Sequence, residues 1–207
     1  MFDSKIRGVI GPSLESAGGK IAALGVSPTA ITAVGWVVGV GACVAAAVRL
    51  WPLALVLWLG NRLLDGLDGP VARARSATDR GGYLDVVADF SVYGGFIVGV
   101  AIAIPDARLA CAVLLLTYYV SGTALLALSS LLERRRQNAI DERSLRLVGG
   151  LAEGFETVVA YVLFCLLPGS AAVIAWVFAA LVGVTALQRI ISGSRMLTTG
   201  PASQPED

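Results

Sequence analysis

Histidine is absent from the 207 residues, and cysteine occurs only at Cys43, Cys111 and Cys165, with no CxxC pair. A zinc centre of the usual His/Cys kind and a histidine-based catalytic triad are thereby excluded, and buried packing is the expected role of the three thiols. Charge is scarce as well. Asp, Glu, Lys and Arg make up 15% of the chain, where a soluble domain carries about a quarter. The formal net charge is +1, and no nucleic-acid partner is expected.

What the chain has instead is apolar length: 56% of its residues are hydrophobic and its mean hydropathy is +0.76. Apolar stretches of roughly 20 residues recur, enough to cross about 30 Å of hydrocarbon as helix. They predict an all-α integral membrane protein with six transmembrane helices at 28–48, 52–74, 82–104, 108–132, 150–167 and 171–192. A single membrane domain over 1–207 follows, made of a juxtamembrane segment (1–24), a six-helix bundle (28–192) and a Pro-rich, polar tail expected to be disordered (198–207). The first 24 residues lack the continuous apolar core of a cleavable signal. Phe2, Ile6, Val9 and Ile10 share one face of a short interfacial helix, unless this segment is a frayed tail. Ser27 and Pro28 are placed as N-cap and first residue of the first span.

Basic residues set the orientation. Lys5, Arg7 and Lys20 precede the first span, and Arg73, Arg75 and Arg80 flank the connection between the second and third. Arg134, Arg135, Arg136, Arg143 and Arg146 fill a polar loop near 133–147, and Arg195 follows the sixth span. The other side keeps Arg49 and Arg108. Both termini are expected in the cytoplasm.

Against this background the stretch "DGLDGPVARARSATDRGGYLDVVAD" (65–89) is anomalous, because it places Asp65, Asp68, Asp85 and Asp89 inside two consecutive spans. A charged side chain at mid-span costs roughly 2.5–3.5 kcal/mol on insertion scales. A lone carboxylate can pair with an arginine, and Arg62 lies one turn from Asp65, but four on two spans exceed what such pairing needs. Spacings of three and four residues put each pair on one helix face. Hard oxygen donors without His or Cys favour Mg²⁺, Mn²⁺ or Ca²⁺, and Mg²⁺ commonly shares carboxylates with substrate phosphates. Gly69 and Ala72 leave room near the aspartates, Arg73 offers a fork for phosphate, and Pro70 would kink the helix and release the carbonyl of Gly66.

Asp65, Asp68-Gly69, Ala72-Arg73, Gly81, Asp85 and Asp89 together resemble the signature of the CDP-alcohol phosphotransferases, DxxDGxxARx(7–8)GxxxDxxxD. The likeness extends to six spans and to "GVSPTAIT" opening the first, and so covers nearly the whole chain. It implies displacement of CMP from a CDP-linked donor by a hydroxyl acceptor, with two divalent ions, Mg²⁺ or Mn²⁺. By the same resemblance Asp65, Asp68 and Asp85 are metal ligands, and Asp89 joins the metal site and serves as general base. Asp68, Gly69, Ala72 and Gly81 would seat the nucleotide, and Arg73 would contact phosphate. Likeness to short bacterial members implies CDP-diacylglycerol as donor, a homodimer and residence in the inner membrane. A soluble CDP-alcohol with a lipid acceptor is the alternative.

For the acceptor, Glu153 and Glu156 near the start of the fifth span suit hydroxyls or an amine, while Arg143 and Arg146 next door suit a phosphate. The alternative reading pairs the glutamates with loop arginines such as Arg146. An ion or proton pathway is the contrasting class, disfavoured by the absence of an inverted repeat and by the clustering of the carboxylates at one end. The six-span arrangement has a direct test. Arg80→Cys and Gln137→Cys are expected to be labelled from the cytoplasmic face and Asp106→Cys from the other; labelling of 80 and 106 from one face would contradict it.

Overall fold

The computed structural model describes residues 2–75, 77–136 and 154–198. Helix is the only regular structure among them: α1 (Phe2–Ala23), α2 (Pro28–Ala47), α3 (Trp51–Arg75), α4 (Asp79–Ala103), α5 (Arg108–Arg136), α6 (Gly154–Leu166) and α7 (Ala171–Thr198). One-turn 3₁₀ helices at Pro105–Ala107 and Pro168–Ser170 lead into α5 and α7. The tail after 198 lies outside the described residues, as do the side chains of Phe2, Ile6, Val9 and Ile10.

Local chemistry sets the helix ends. The Ser27 hydroxyl accepts from the Ala30 N–H at 3.1 Å, with Pro28 in the first turn, as the sequence predicts. Thr78 caps α4 in the same way through Gly81 N–H, also at 3.1 Å. Arg49 closes α2 with φ 64°, an unfavourable conformation for a residue with a Cβ. Its Nε donates to the Ala103 carbonyl at 2.9 Å, and Arg108 Nε reaches the Ala101 carbonyl at 3.2 Å. The two arginines expected on the side opposite the aspartates thus share one end of the bundle, where they satisfy carbonyls at the C-terminus of α4.

Among the described residues, four stretches are long and apolar enough to cross a membrane: Pro28–Ala47, Asp79–Ala103, Pro105–Arg134 and Pro168–Thr198. The two remaining expected spans differ for separate reasons. At 25 residues, α3 has the length, about 37 Å, but Arg62, Asp65, Asp68, Arg73 and Arg75 occupy it from its middle onward. The described part of α6 is apolar but has 13 residues, about 20 Å. Outward-facing Val37, Val56, Ile102, Leu116, Val173 and Leu187 are each more than half exposed, a surface suited to hydrocarbon rather than water.

α2 packs along both α3 and α4, α1 lies across α3, and α5 pairs with α7. Between α3 and α4 there is little direct backbone contact, so the two helices carrying the aspartates flank a gap that α2 spans. Small residues let α2 and α4 close: a Cβ added at Gly99 would sit 2.5 Å from the Cys43 carbonyl oxygen, and one at Gly39 would meet Val92 and Asn61. Gly39 and Gly99 are thus used in helix contacts within the chain. Pro70 is buried inside an α3 that continues to Arg75, and Gly18 of α1 packs directly on it. The core centres on Trp58, fully buried and stacked on Tyr161 of α6 with ring centroids 4.4 Å apart, with Phe96 of α4 5.5 Å away. Cys111 and Cys165 are buried, and Cys43 donates to the Val92 carbonyl at 3.5 Å.

Overpacking of a closed contact typically costs about 1–3 kcal/mol, and at Gly99 the obstacle is backbone. Gly99→Val is expected to lower the melting temperature of the detergent-solubilised protein; an unchanged transition would contradict this close α2–α4 contact.

Candidate active site

Asp65 and Asp68 project from one face of α3, and Asp85 from α4 meets them across the gap. One carboxylate oxygen from each of the three lies within 4.8 Å of the others. Asp89, one turn further along α4, is held by Arg62: its Oδ1 accepts from Arg62 Nη2 at 2.9 Å, while Arg62 Nη1 donates to Asp65 Oδ2 at 3.3 Å. The Thr32 hydroxyl of α2 lies 3.2 Å from Asp68 Oδ2 and 3.2 Å from the Pro28 carbonyl, and its one proton serves either. Four carboxylates face one guanidinium here, an excess of negative charge built from hard oxygen donors. That donor set fits Mg²⁺ or Mn²⁺ and does not fit zinc or copper.

Next to the cluster is a cavity of about 250 Å³, whose lining includes Thr29, Asp68, Gly69, Ala72, Gly81 and Asp85. The four residues expected to seat a nucleotide, Asp68, Gly69, Ala72 and Gly81, all border it. Arg73 does not. It forms an ion pair with Glu15 of α1, both side chains being more than half exposed. An exposed pair of this kind is worth about 0–1 kcal/mol, so the guanidinium is readily exchanged to another anion. A second, apolar cleft of about 300 Å³ runs between α2 and α4 past Thr32, Ala33, Trp36, Leu84, Val87 and Ala88. Thr29 and Thr32 border both spaces. Trp36 Nε1 donates to Ser91 Oγ at 2.8 Å, bridging the two helices along this cleft.

Of the acceptor candidates, Glu156 lies in the first turn of α6 and lines a separate apolar cavity of about 430 Å³ between α6 and α7, together with Val159, Leu163 and Val177. None of the four aspartates borders that space. Glu153, Arg143 and Arg146 lie outside the described residues. Sequence reasoning gave no role at the site to Thr32, Asn61 or Tyr93. Asn61-Arg62, a polar pair inside "LWLGNRLL", was the available signal.

Residues 25–187 match the family model described as CDP-alcohol phosphatidyltransferase. The chain belongs to this family. It is 37% identical over 196 residues to the inner membrane protein YnjF of Escherichia coli, covering 93% of this chain and 95% of that protein. A shorter similarity, 38% identity over 79 residues, covers 38% of this chain and 18% of the bifunctional IPC transferase and DIPP synthase of Thermococcus kodakarensis. Among solved structures, the phosphatidylinositol phosphate synthase of Mycobacterium tuberculosis with CDP-DAG bound superposes with a TM-score of 0.69 at 19% identity, over 94% of this chain and 98% of that one. The same synthase in complex with manganese and citrate gives 0.69 at 18% identity, over 94% and 93%. These two structures share the fold. Members of the CDP-alcohol phosphatidyltransferase family are transferases of substituted phosphate groups, and this chain is therefore an enzyme of that kind rather than a transporter.

If the cluster is the metal centre of this family member, Asp68→Asn and Asp85→Asn each remove one anionic ligand. Each is expected to weaken Mn²⁺ binding by about tenfold or more in a calorimetric titration of the purified protein. Unchanged Mn²⁺ affinity in both would remove the cluster from consideration.

Proposed function

We propose that the chain transfers a phosphatidyl group from CDP-diacylglycerol to a small hydroxyl acceptor and releases CMP. The observation that carries this reading is a juxtaposition. A three-carboxylate cluster lies beside a cavity that Asp68 and Asp85 border, and that cavity shares Thr29 and Thr32 with an apolar cleft. A lipid-linked nucleotide needs both environments, one for the headgroup and one for a chain. The CDP-DAG-bound relative of the same fold supports the choice of donor.

In this reading Asp65, Asp68 and Asp85 hold the Mg²⁺ or Mn²⁺ ions, with Asp89 beside them. Such ions neutralise the diphosphate and stabilise the departing phosphate when bound. Gly69, Ala72 and Gly81 keep the cavity wall low for the cytidine and its phosphates. Arg73 moves from Glu15 to a phosphate oxygen, replacing one exposed ion pair by a charge-assisted, forked hydrogen bond. The Asp89 carboxylate accepts the proton of the acceptor hydroxyl. The hydroxyl oxygen forms its new bond to the lipid-side phosphorus as the bond from that phosphorus to the CMP oxygen breaks. The acceptor is a polyol, an amino alcohol or a polyol phosphate.

The membrane arrangement belongs to the same proposal. α2 to α7 form six spans of a single inner-membrane domain with both termini and the aspartates on the cytoplasmic side, and α1 lies along the interface. Crowding of arginine around Arg73, Arg75 and Arg80 at the aspartate end, against Arg49 and Arg108 at the other, supports this orientation. The apolar cleft serves equally well if the lipid is the acceptor, and a soluble CDP-alcohol donor is therefore the second reading.

Purified protein with Mg²⁺ or Mn²⁺ is expected to release CMP from CDP-diacylglycerol once an acceptor is present, and not from soluble CDP-alcohols; the reverse pattern would establish the second reading. Asp89→Asn is expected to lower kcat about 10²–10⁴-fold. Near-normal turnover would exclude Asp89 as the base.

A further inference from the structure

Arg62 lies outside the aspartate signature, yet it is among the most tightly held side chains of the site. Its side chain is 10% exposed. Nε and Nη2 donate to Asn61 Oδ1 at 2.9 and 2.6 Å, and Asn61 is itself fixed by donating to the Gly35 carbonyl of α2 at 2.8 Å. Nη1 also donates to the Tyr93 hydroxyl. The guanidinium carbon stands 4.8 Å from the Trp58 ring centre and 4.7 Å from that of Tyr93. Those rings are locked in turn: Trp58 stacks on Tyr161, whose hydroxyl donates to the Tyr93 carbonyl at 2.8 Å. Side chains of α3, α4 and α6 and a carbonyl of α2 thus determine where this one cation sits.

What it presents is a fork. Nη2 takes Asp89 from α4 and Nη1 takes Asp65 from α3, across helices whose backbones scarcely touch. Without it, two carboxylates would face each other with no cation between them, and each would turn away from the other. We propose that Arg62 is a positioning residue of the transfer reaction, holding Asp65 and Asp89 apart and aimed at the cluster so that the site is organised before substrate arrives. The proposal rests on the transferase reading above. Arg62 acts through Asp89 and Asp65, the two carboxylates it holds.

Lysine has the charge but not the planar fork, and cannot bridge both carboxylates while stacking between two rings. Arg62→Met is expected to lower kcat about 10- to 100-fold with the KM for CDP-diacylglycerol changed less than about threefold. Arg62→Lys should recover part of the loss. Tyr93→Phe, which removes one hydrogen bond and keeps the ring, should lower kcat by a smaller factor and guards against a Met variant that does not fold. Because part of the effect of Arg62 runs through Asp89, Arg62→Met/Asp89→Asn should lose less kcat than the product of the two single losses. In metal-free protein the same double variant should melt higher than Arg62→Met, since it lacks the stranded anion. Multiplying kcat losses, full rescue by lysine, or a double variant that melts below Arg62→Met would each overturn the proposal while wild-type activity leaves the transferase reading intact. A wild type that releases no CMP from any CDP-linked donor would overturn both.

Discussion

A carboxylate taken out of water carries an effective penalty of several kcal/mol, and Asp65 and Asp89, 31% and 27% exposed, bear part of it. The contact between the Arg62 guanidinium and the carboxylates of Asp65 and Asp89 is therefore the constraint around which the rest of the bundle is arranged. The guanidinium needs an immobile seat to offset two charges at once, and Trp58, Tyr93 and Asn61 supply it. Trp58 in turn is the centre of the aromatic core, so the packing that stabilises the helices is also the packing that aims the charges. Core and site are one structure here, joined at a single side chain.

The same arrangement explains why the site lies in a gap. α2 holds α3 and α4 together through Gly39 and Gly99 on one helix pair and through the Asn61 amide on the other, leaving the facing sides of α3 and α4 apart. The carboxylates lie between them, beside the cavity that Asp68 and Asp85 border, and that cavity shares Thr29 and Thr32 with the apolar cleft. An amphiphile whose reacting phosphorus lies between a water-soluble head and a hydrocarbon tail requires that sequence of environments. Placing the carboxylates deep in a sealed core would exclude the head, and placing them on a surface loop would exclude the tail.

Much of this was legible before any coordinates, for identifiable reasons. Helical spacing alone put Asp65 with Asp68 and Asp85 with Asp89, because a 3.6-residue period leaves little freedom in which face a residue takes. Ser27 and Pro28 announced the start of α2 because capping is local chemistry. What sequence could not convey was tertiary. Pro70 reads as a kink in isolation, but α1 packs on it through Gly18, and α3 runs on. Arg73 reads as a phosphate ligand, but Glu15, 58 residues away in sequence, holds it. Asn61 and Tyr93 gave no periodic signal, since their roles arise from contacts between helices rather than from a pattern within one. Glu156 reads as an acceptor residue from its place near the start of the fifth span, whereas in the structure it lines the α6–α7 cavity.

The central claim is that the Asp65–Asp68–Asp85 cluster is a divalent-metal centre organised by Arg62. Anomalous diffraction at the manganese edge, from crystals of the wild-type protein grown with Mn²⁺, tests it most directly. The account predicts anomalous density enclosed by Asp65, Asp68 and Asp85, with the guanidinium of Arg62 still in contact with Asp89. Manganese bound elsewhere with that cluster empty, or Arg62 withdrawn from Asp89 when the metal is present, would contradict it.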